Sequence, residues 1–297
     1  MKSGFVSFIG RPNAGKSSLL NRIVGVKLAI VSDKPQTTRT RILGVKNYPS
    51  GQVVFVDTPG IHRPLHRMNV RMVGTAVESI GEADVVGVVV DASEDTGAGT
   101  RYLLDLVKDT KTPTVLILNK VDLVSKKRLP PLIEELHTAR EWTHIVPVSA
   151  TTGENVDRLE HVLLDALPEG EKLYPDDYLT DQPERALVAE MVREQVLRLT
   201  HAEIPFSTAV RVDLFEEVNG GKLLRIYCTI FVERDSQKPI IIGRGGDLIK
   251  QIGTRARQEI EEFFQTKVFL DLRVAAKEQW RDDERLLDDL GVRPPEK

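Results

Sequence analysis

Read from its amino terminus, the chain alternates short apolar runs with longer stretches in which apolar residues recur every three or four positions. The runs are Phe5–Ile9, Val53–Asp57, Val85–Asp91, Thr114–Asn119 and Ile145–Ser149. Several are continuously apolar, as strands buried on both faces of a sheet must be. Helix-length segments separate most of them, which is the order of an α/β fold with a mainly parallel sheet and flanking helices. Sheets of that kind hold ligands at the carboxyl ends of their strands, so the chemistry is expected where these runs stop.

Beyond Leu167 the pattern changes. A polar, Pro-bearing stretch, LPEGEKLYPDDYLTDQPER, reads as a linker. Ala186–Leu199 then places Leu187, Met191, Val192, Val196 and Leu199 at helical spacing. Two strands follow, around Thr208–Phe215 and Leu223–Glu233, joined by a turn at Asn219-Gly220-Gly221. Ile240–Ile242, a Gly-rich turn and helices through about Phe264 come next, then a strand at Val268–Ala275. The resulting order is α-β-β-α-α-β, an α+β unit, and a short charged helix near Trp280–Leu290 closes the pattern. The expected divisions are a nucleotide domain over 1–170, a linker over 171–184, a second domain over 185–278, and a terminal helix and tail over 279–297.

Composition changes this picture little. A length of 297 residues fits two domains. No apolar run reaches the roughly 18 residues needed to span a bilayer, and MKSGFVSFIG is too short for a signal peptide. The single cysteine, Cys228, cannot form an internal disulfide and suits a reducing cytoplasm; in LLRIYCTIFV it reads as a small buried residue. A net charge of −3 argues against wholesale non-specific RNA binding but allows one basic face.

The chemistry begins at Gly10-Arg11-Pro12-Asn13-Ala14-Gly15-Lys16-Ser17, a G-x-x-x-x-G-K-[ST] match between a strand and a helix that continues with Ser18. Glycines let successive backbone N–H groups converge on phosphate oxygens, and the helix amino terminus adds positive potential. Lys16 would reach the β- and γ-phosphates, and Ser17 would bind Mg²⁺. The run VVFVD ends in Asp57-Thr58-Pro59-Gly60. Asp57 would hold Mg²⁺ through water, and the Gly60 N–H would sense a γ-phosphate. TVLIL ends in Asn119-Lys120-Val121-Asp122. A carboxylate at Asp122 would accept both N1–H and the exocyclic amine of guanine, a donor pair adenine lacks. The Lys120 stem would cover the purine, and Asn119 would tie this loop to the phosphate loop. A backbone N–H at Ser149-Ala150 would meet the guanine O6.

These four motifs, in this order and each at a strand end, resemble the translation-factor-related GTPases of the P-loop class. The resemblance makes Gln36-Thr37-Thr38-Arg39 the first switch, with Thr38 as Mg²⁺ and γ-phosphate ligand. Lys16, Thr38 and Gly60 are then the groups expected to act on the reacting phosphate. Ile61 stands where many signalling GTPases have a water-orienting glutamine, so slow intrinsic hydrolysis is expected. In related GTPases an asparagine at the Asn13 position helps bind K⁺, which would neutralise charge developing between the phosphates. His62 and His66 flank the second switch in HRPLHRMNVRM, whose charges read as a solvated, mobile surface.

In the second domain, Gly243-Arg244-Gly245-Gly246 is a GxxG loop, where nucleic-acid backbone can approach closely. Arg244, Lys250, Arg255 and Arg257 offer phosphate contacts. Ile241, Ile242, Ile249 and Ile252 are candidates for a base-binding groove or for the core, the most exposed being the better groove candidates. With the α-β-β-α-α-β order, this resembles a type II KH domain, a single-stranded RNA binder, with Ile242, Gly243 to Gly246, Ile249, Lys250 and Arg257 as its RNA contacts.

Together with LYPDDYLTDQ, IIIGRGG and the terminal WRDDE, the whole arrangement resembles the Era family of bacterial ribosome-assembly GTPases. That resemblance implies a GTP/GDP switch that binds 16S rRNA near its 3′ end and assists maturation of the small (30S) subunit. It also implies a cytoplasmic protein with peripheral association with the inner membrane; a monomer and no DNA partner are expected. Two other readings stand beside it: a constitutive RNA-binding scaffold with structural nucleotide, and a GTPase acting in RNA modification.

Overall fold

The structure is a computed structural model and describes residues 1–34, 36–62 and 66–294. Its first part runs β1 (Lys2–Gly10), α1 (Lys16–Val24), β2 (Ile42–Tyr48), β3 (Gly51–Asp57), α2 (Arg67–Glu82), β4 (Val85–Asp91), α3 (Ala98–Val107), β5 (Thr114–Asn119), α4 (Leu129–Ala139), β6 (His144–Pro147) and α5 (Val156–Ala166). The strands form a six-stranded sheet in the order β2-β3-β1-β4-β5-β6. All neighbours are parallel except β2, which runs antiparallel to β3.

The continuous apolar runs follow from burial on both sides. Val85, Val89, Val115 and Ile117 face one core with Leu19, Leu20, Ile23, Leu159 and Leu163 of α1 and α5. Their alternates Val86, Val88, Leu116 and Leu118 face a second core with Ala76, Ile80, Leu103, Val107 and Leu136 of α2, α3 and α4. The hydrophobic pattern misses β2. Its sequence ILGVKNY turns polar at its far end, and as an edge strand it buries only its first four residues. The strand expected at Ile145–Ser149 ends at Pro147, because Ser149 enters a turn in which its N–H bonds to Glu154 O at 3.0 Å.

The second part runs α6 (Glu184–Leu199), β7 (Ala209–Val218), β8 (Leu223–Val232), α7 (Lys238–Ile242), α8 (Asp247–Phe264), β9 (Lys267–Ala276) and α9 (Glu284–Asp289). Strands β7 and β8 are antiparallel, and β8 and β9 parallel, in a three-stranded sheet. Val188, Met191, Val192 and Val196 of α6 and Ile252, Ala256 and Ile260 of α8 cover it. Ile241 and Ile252 are fully buried there, which removes both as groove candidates. Cys228 lies in the same core, and burial, with Asp213 and Asp271 nearby, pushes its thiol up to about 12.

Two polar segments behave differently from their expected character. The stretch between the parts is strapped to the sheet edge. Val45 N–H donates to Leu179 O at 2.9 Å, and buried Gln52 accepts from the Leu173 and Tyr174 N–H groups, both at 2.9 Å. Tyr174 and Tyr178 stack at 4.6 Å and pack against Leu43, Val45 and Val54. The basic face of α2, read as a solvated surface, is instead docked. Met68 and Met72 pack with Trp280, Leu286, Leu287 and Val292, while Arg67 and Arg71 pair with Glu284 and Asp288, each at 2.7 Å. Acidic α9 supplies the complement to the basic face that the sequence leaves without a partner. Arg63, Pro64 and Leu65 of the second switch lie outside the described residues.

Candidate nucleotide site and nucleic-acid interface

The phosphate loop spans the end of β1 and the start of α1. Gly15 caps α1 with φ +92°, and a Cβ there would sit 2.1 Å from Asn119 Nδ2. Only glycine both adopts this backbone and lets the loop after β5 lie against it. Asn119 closes the junction: its Nδ2 donates to Ala14 O at 2.9 Å, and its Oδ1 accepts from Ala150 N–H at 3.0 Å. One buried amide thus joins three of the motifs.

Lys16 is 5% exposed and donates to the Gly10 and Arg11 carbonyls, each at 3.2 Å. Burial lowers its pKa, and the neighbouring Asp57 partly offsets this. Ser17 Oγ donates to Asp57 Oδ2 at 2.6 Å and lies 2.8 Å from Thr38 Oγ1, itself 3.4 Å from the same Oδ2. Asp57 is fully buried; desolvation raises its pKa against the pull of Lys16 and the hydrogen bonds it accepts. Its Oδ1 is buried without a hydrogen-bond partner among the described residues. Two hydroxyls and a carboxylate with a spare oxygen form a hard-donor set that fits Mg²⁺.

A cleft is lined by Pro12, Asn13, residues 15–18, 30–33 and 36–38, Gly60 and Lys120. Arg11 pairs with Glu94 at 2.6 Å, outside this cleft. Asn13 has φ +64° and donates from Nδ2 to Asp33 O at 2.6 Å. Its Oδ1, the atom a monovalent cation needs, accepts no hydrogen bond among the described residues. Thr58 turns inward and donates to Phe8 O at 2.8 Å, while Pro59 and Gly60 are buried beside it. Ile61 N–H donates to Gly10 O at 3.0 Å, and its side chain is 2% exposed in the core with Ile9 and Val88. The residue at the position of the usual glutamine is therefore packed in the core and does not line the cleft.

The base end is built on backbone geometry. Lys120 has φ +65°, and its ammonium lies 2.5 Å from Asp91 Oδ2. Asp91, at the end of β4, also accepts from Ser93 N–H at 2.9 Å. The sequence reading missed this residue, although an acid closing the apolar run VVGVVVD was a visible signal. Asp122 is exposed in the turn after Lys120. The Ser149 and Ala150 N–H groups expected to meet the guanine O6 are both used within the protein, by Glu154 O and Asn119 Oδ1.

In the second part, the GxxG loop joins α7 to α8. Gly243, Gly245 and Gly246 have φ of +77°, +59° and +86°, and no atom lies within 4 Å of a Cβ built at Gly245 or Gly246. The loop is thus open to an approaching backbone. Arg244 in the loop and Ile242 just before it are exposed, Lys250 in the first turn of α8 is exposed, as are Arg255 and Arg257 further along that helix, and Ile249 is half-buried. A Cβ at Gly253 would meet Leu272 Cδ1 of β9 at 3.5 Å, so α8 packs closely on that strand here.

Residues 5–120 match the family model described as 50S ribosome-binding GTPase, and residues 203–281 match that of the KH domain. The chain is 48% identical over 291 residues to GTPase Era of Heliobacterium modesticaldum, covering 98% of this chain and 97% of the relative. It is 49% identical over 290 residues to GTPase Era of Geobacter metallireducens, covering 98% and 97%. A solved structure of Era in complex with MgGDPNP and nucleotides 1506–1542 of 16S ribosomal RNA superposes with a TM-score of 0.95 at 41% identity, covering 98% of this chain and 99% of that one. A variant of Aquifex aeolicus Era bound to GDP.AlF4− gives the same values.

Proposed function

The chain belongs to the Era family of GTPases, and from that premise we propose that it is a GTP-driven switch that binds the 3′ region of 16S rRNA and assists maturation of the 30S subunit. The observation that carries the reading is the position of the first switch. Thr38 sits against Ser17 and Asp57, while the adjoining Arg39 donates to Thr208 O at 2.8 Å and lies 5.3 Å over Trp280, beyond α6. One short segment thus touches both the phosphate end of the cleft and the KH side of the molecule.

In this mechanism the phosphate-loop N–H groups and Lys16 would hold the β- and γ-phosphates, and Ser17, Thr38 and Asp57 would hold Mg²⁺. Bound there, Mg²⁺ supplies charge neutralisation between the phosphates. Thr38 and Gly60 orient the γ-phosphate end, and Asp122 selects guanine. Phosphoryl transfer depends mainly on positioning and charge stabilisation, so a site without a side-chain base still turns over slowly. Asn13 is proposed as a K⁺ ligand, its uncommitted Oδ1 facing this role; equal turnover in K⁺ and Na⁺ at matched ionic strength would remove it. Ile242, the GxxG loop, Ile249, Lys250 and Arg257 are proposed to take single-stranded RNA. We place the protein in the cytoplasm as a monomer. No helix among the described residues is long and apolar enough to cross a membrane, and peripheral membrane association rests on the family resemblance alone.

The test is affinity for a 16S 3′-end oligonucleotide with GDPNP and with GDP, using Lys16→Ala as the control for turnover. Tighter RNA binding with GDPNP and loss of hydrolysis in the control are expected. Equal RNA affinities would sink the switch and favour a constitutive scaffold.

A further inference from the structure

Helix α6 carries three consecutive polar residues, Arg193, Glu194 and Gln195, at 1%, 0% and 3% exposure. Burying charge in a helix is costly unless each group is partnered. Their partners lie on α6 and α8, in the chain leading into the first switch, and in the switch itself, while Arg193 Nη1 is buried without a hydrogen-bond partner among the described residues. Arg193 Nη2 donates to the Thr37 carbonyl, and its Nε donates to Glu190 Oε1 at 2.7 Å, which balances its charge. Glu194 accepts from Val31 N–H at 3.1 Å and pairs with Lys27 and Arg198. The helix therefore holds the chain at Val31, ahead of the first switch, and at Thr37 within it.

We infer that Arg193, a residue of the RNA-binding half, is a positioning residue for the GTPase reaction, acting through the Thr37 carbonyl on Thr38. The coupling is covalent geometry. The Thr37 carbonyl and the Thr38 nitrogen share one planar peptide, so fixing the oxygen fixes the plane from which Thr38 projects. Thr38 Oγ1 in turn lies 2.8 Å from Ser17 Oγ, within the oxygen set that fits Mg²⁺. A charge-assisted hydrogen bond to this carbonyl stabilises the Thr38-inward switch, and so favours the triphosphate over the diphosphate. The inference rests on the proposed role of Thr38.

The experiment uses the full chain and compares wild type, Arg193→Gln, Arg193→Lys and Thr38→Ala. It measures affinities for fluorescent GDP and GDPNP across a Mg²⁺ titration. For Arg193→Gln, GDP affinity is expected within about twofold of wild type and GDPNP affinity about tenfold weaker, with half-saturating Mg²⁺ raised, as loss of one such bond implies. Arg193→Lys keeps the charge and one donor, and recovers part of the loss. If Arg193→Gln does not fold, Arg193→Lys decides by the same GDPNP-to-GDP ratio, expected to fall several-fold. Equal weakening of both nucleotides, or of neither, overturns the inference. A silent Thr38→Ala removes the Thr38 assignment and the inference together. Loss in Thr38→Ala with an unchanged ratio in the Arg193 variants overturns the inference alone.

Discussion

At the residue scale, base choice and chemistry are separated by the way the loops are tied. Asn119 spends its amide on the phosphate loop and on Ala150, leaving exposed the Asp122 carboxylate that is proposed to read the base. An amide at that position donates where the carboxylate accepts. Asp122→Asn should therefore weaken GTP binding by about 10- to 100-fold, the value of one lost charge-assisted pair. XTP, whose C2 oxygen accepts that donor, should become the better ligand. Competition between the two nucleotides reads this directly, and unchanged GTP preference would reassign the base contact. The four motifs were legible because each depends on residue type at a strand end. Asp91 also stood at a strand end, but its pairing with Lys120 and the engagement of the Ala150 N–H by Asn119 were not legible, because those partners are set by how separate loops meet.

At the element scale, the strands with two buried faces were readable to within a few residues, since continuous apolar sequence has few other uses. The edge strand β2 was not, because half of it faces solvent and it draws its apolar cover from Tyr174 and Tyr178, more than a hundred positions away. Helix α6 was readable only by its apolar face; its buried Arg193 and Glu194 look like ordinary surface charges until the switch is laid on them. The strap over the sheet edge turns on Gln52, whose Nε2 also donates to Tyr174 O and to Asn47 Oδ1, both at 2.8 Å. Gln52→Ala leaves several of these backbone groups without partners and should cost about 3 kcal/mol. Urea unfolding measures this, and a loss under about 0.5 kcal/mol would mean the strap contributes little.

At the scale of the whole molecule, the two switches meet the second half by different means. The first is held by α6, Thr208 and Trp280; the second leads into α2, which docks on α9 through Met68, Met72, Arg67 and Arg71. If nucleotide state alters RNA affinity through these contacts, RNA must alter nucleotide affinity by the same factor. Asp288→Arg places like charges together beside Arg71, which is only 11% exposed. The variant should keep each ligand's separate affinity within about twofold while the coupling factor, typically about 5- to 150-fold, falls toward one. RNA titrations in GDPNP and GDP read the factor, and intact coupling would confine the linkage to the first switch.

The docking of α9 on α2 also orders events during synthesis. Met72 and the Leu286 that covers it are separated by 214 positions. At ribosomal elongation rates the interval is on the order of 10–40 s, while the amino-terminal domain is already able to fold. For that time a methionine-bearing face beside the second switch has no cover, and its basic flank has no acid to meet. The newborn protein can thus hold nucleotide before its switch is complete. It is exposed to chaperones, and to unwanted partners, until the final helix arrives.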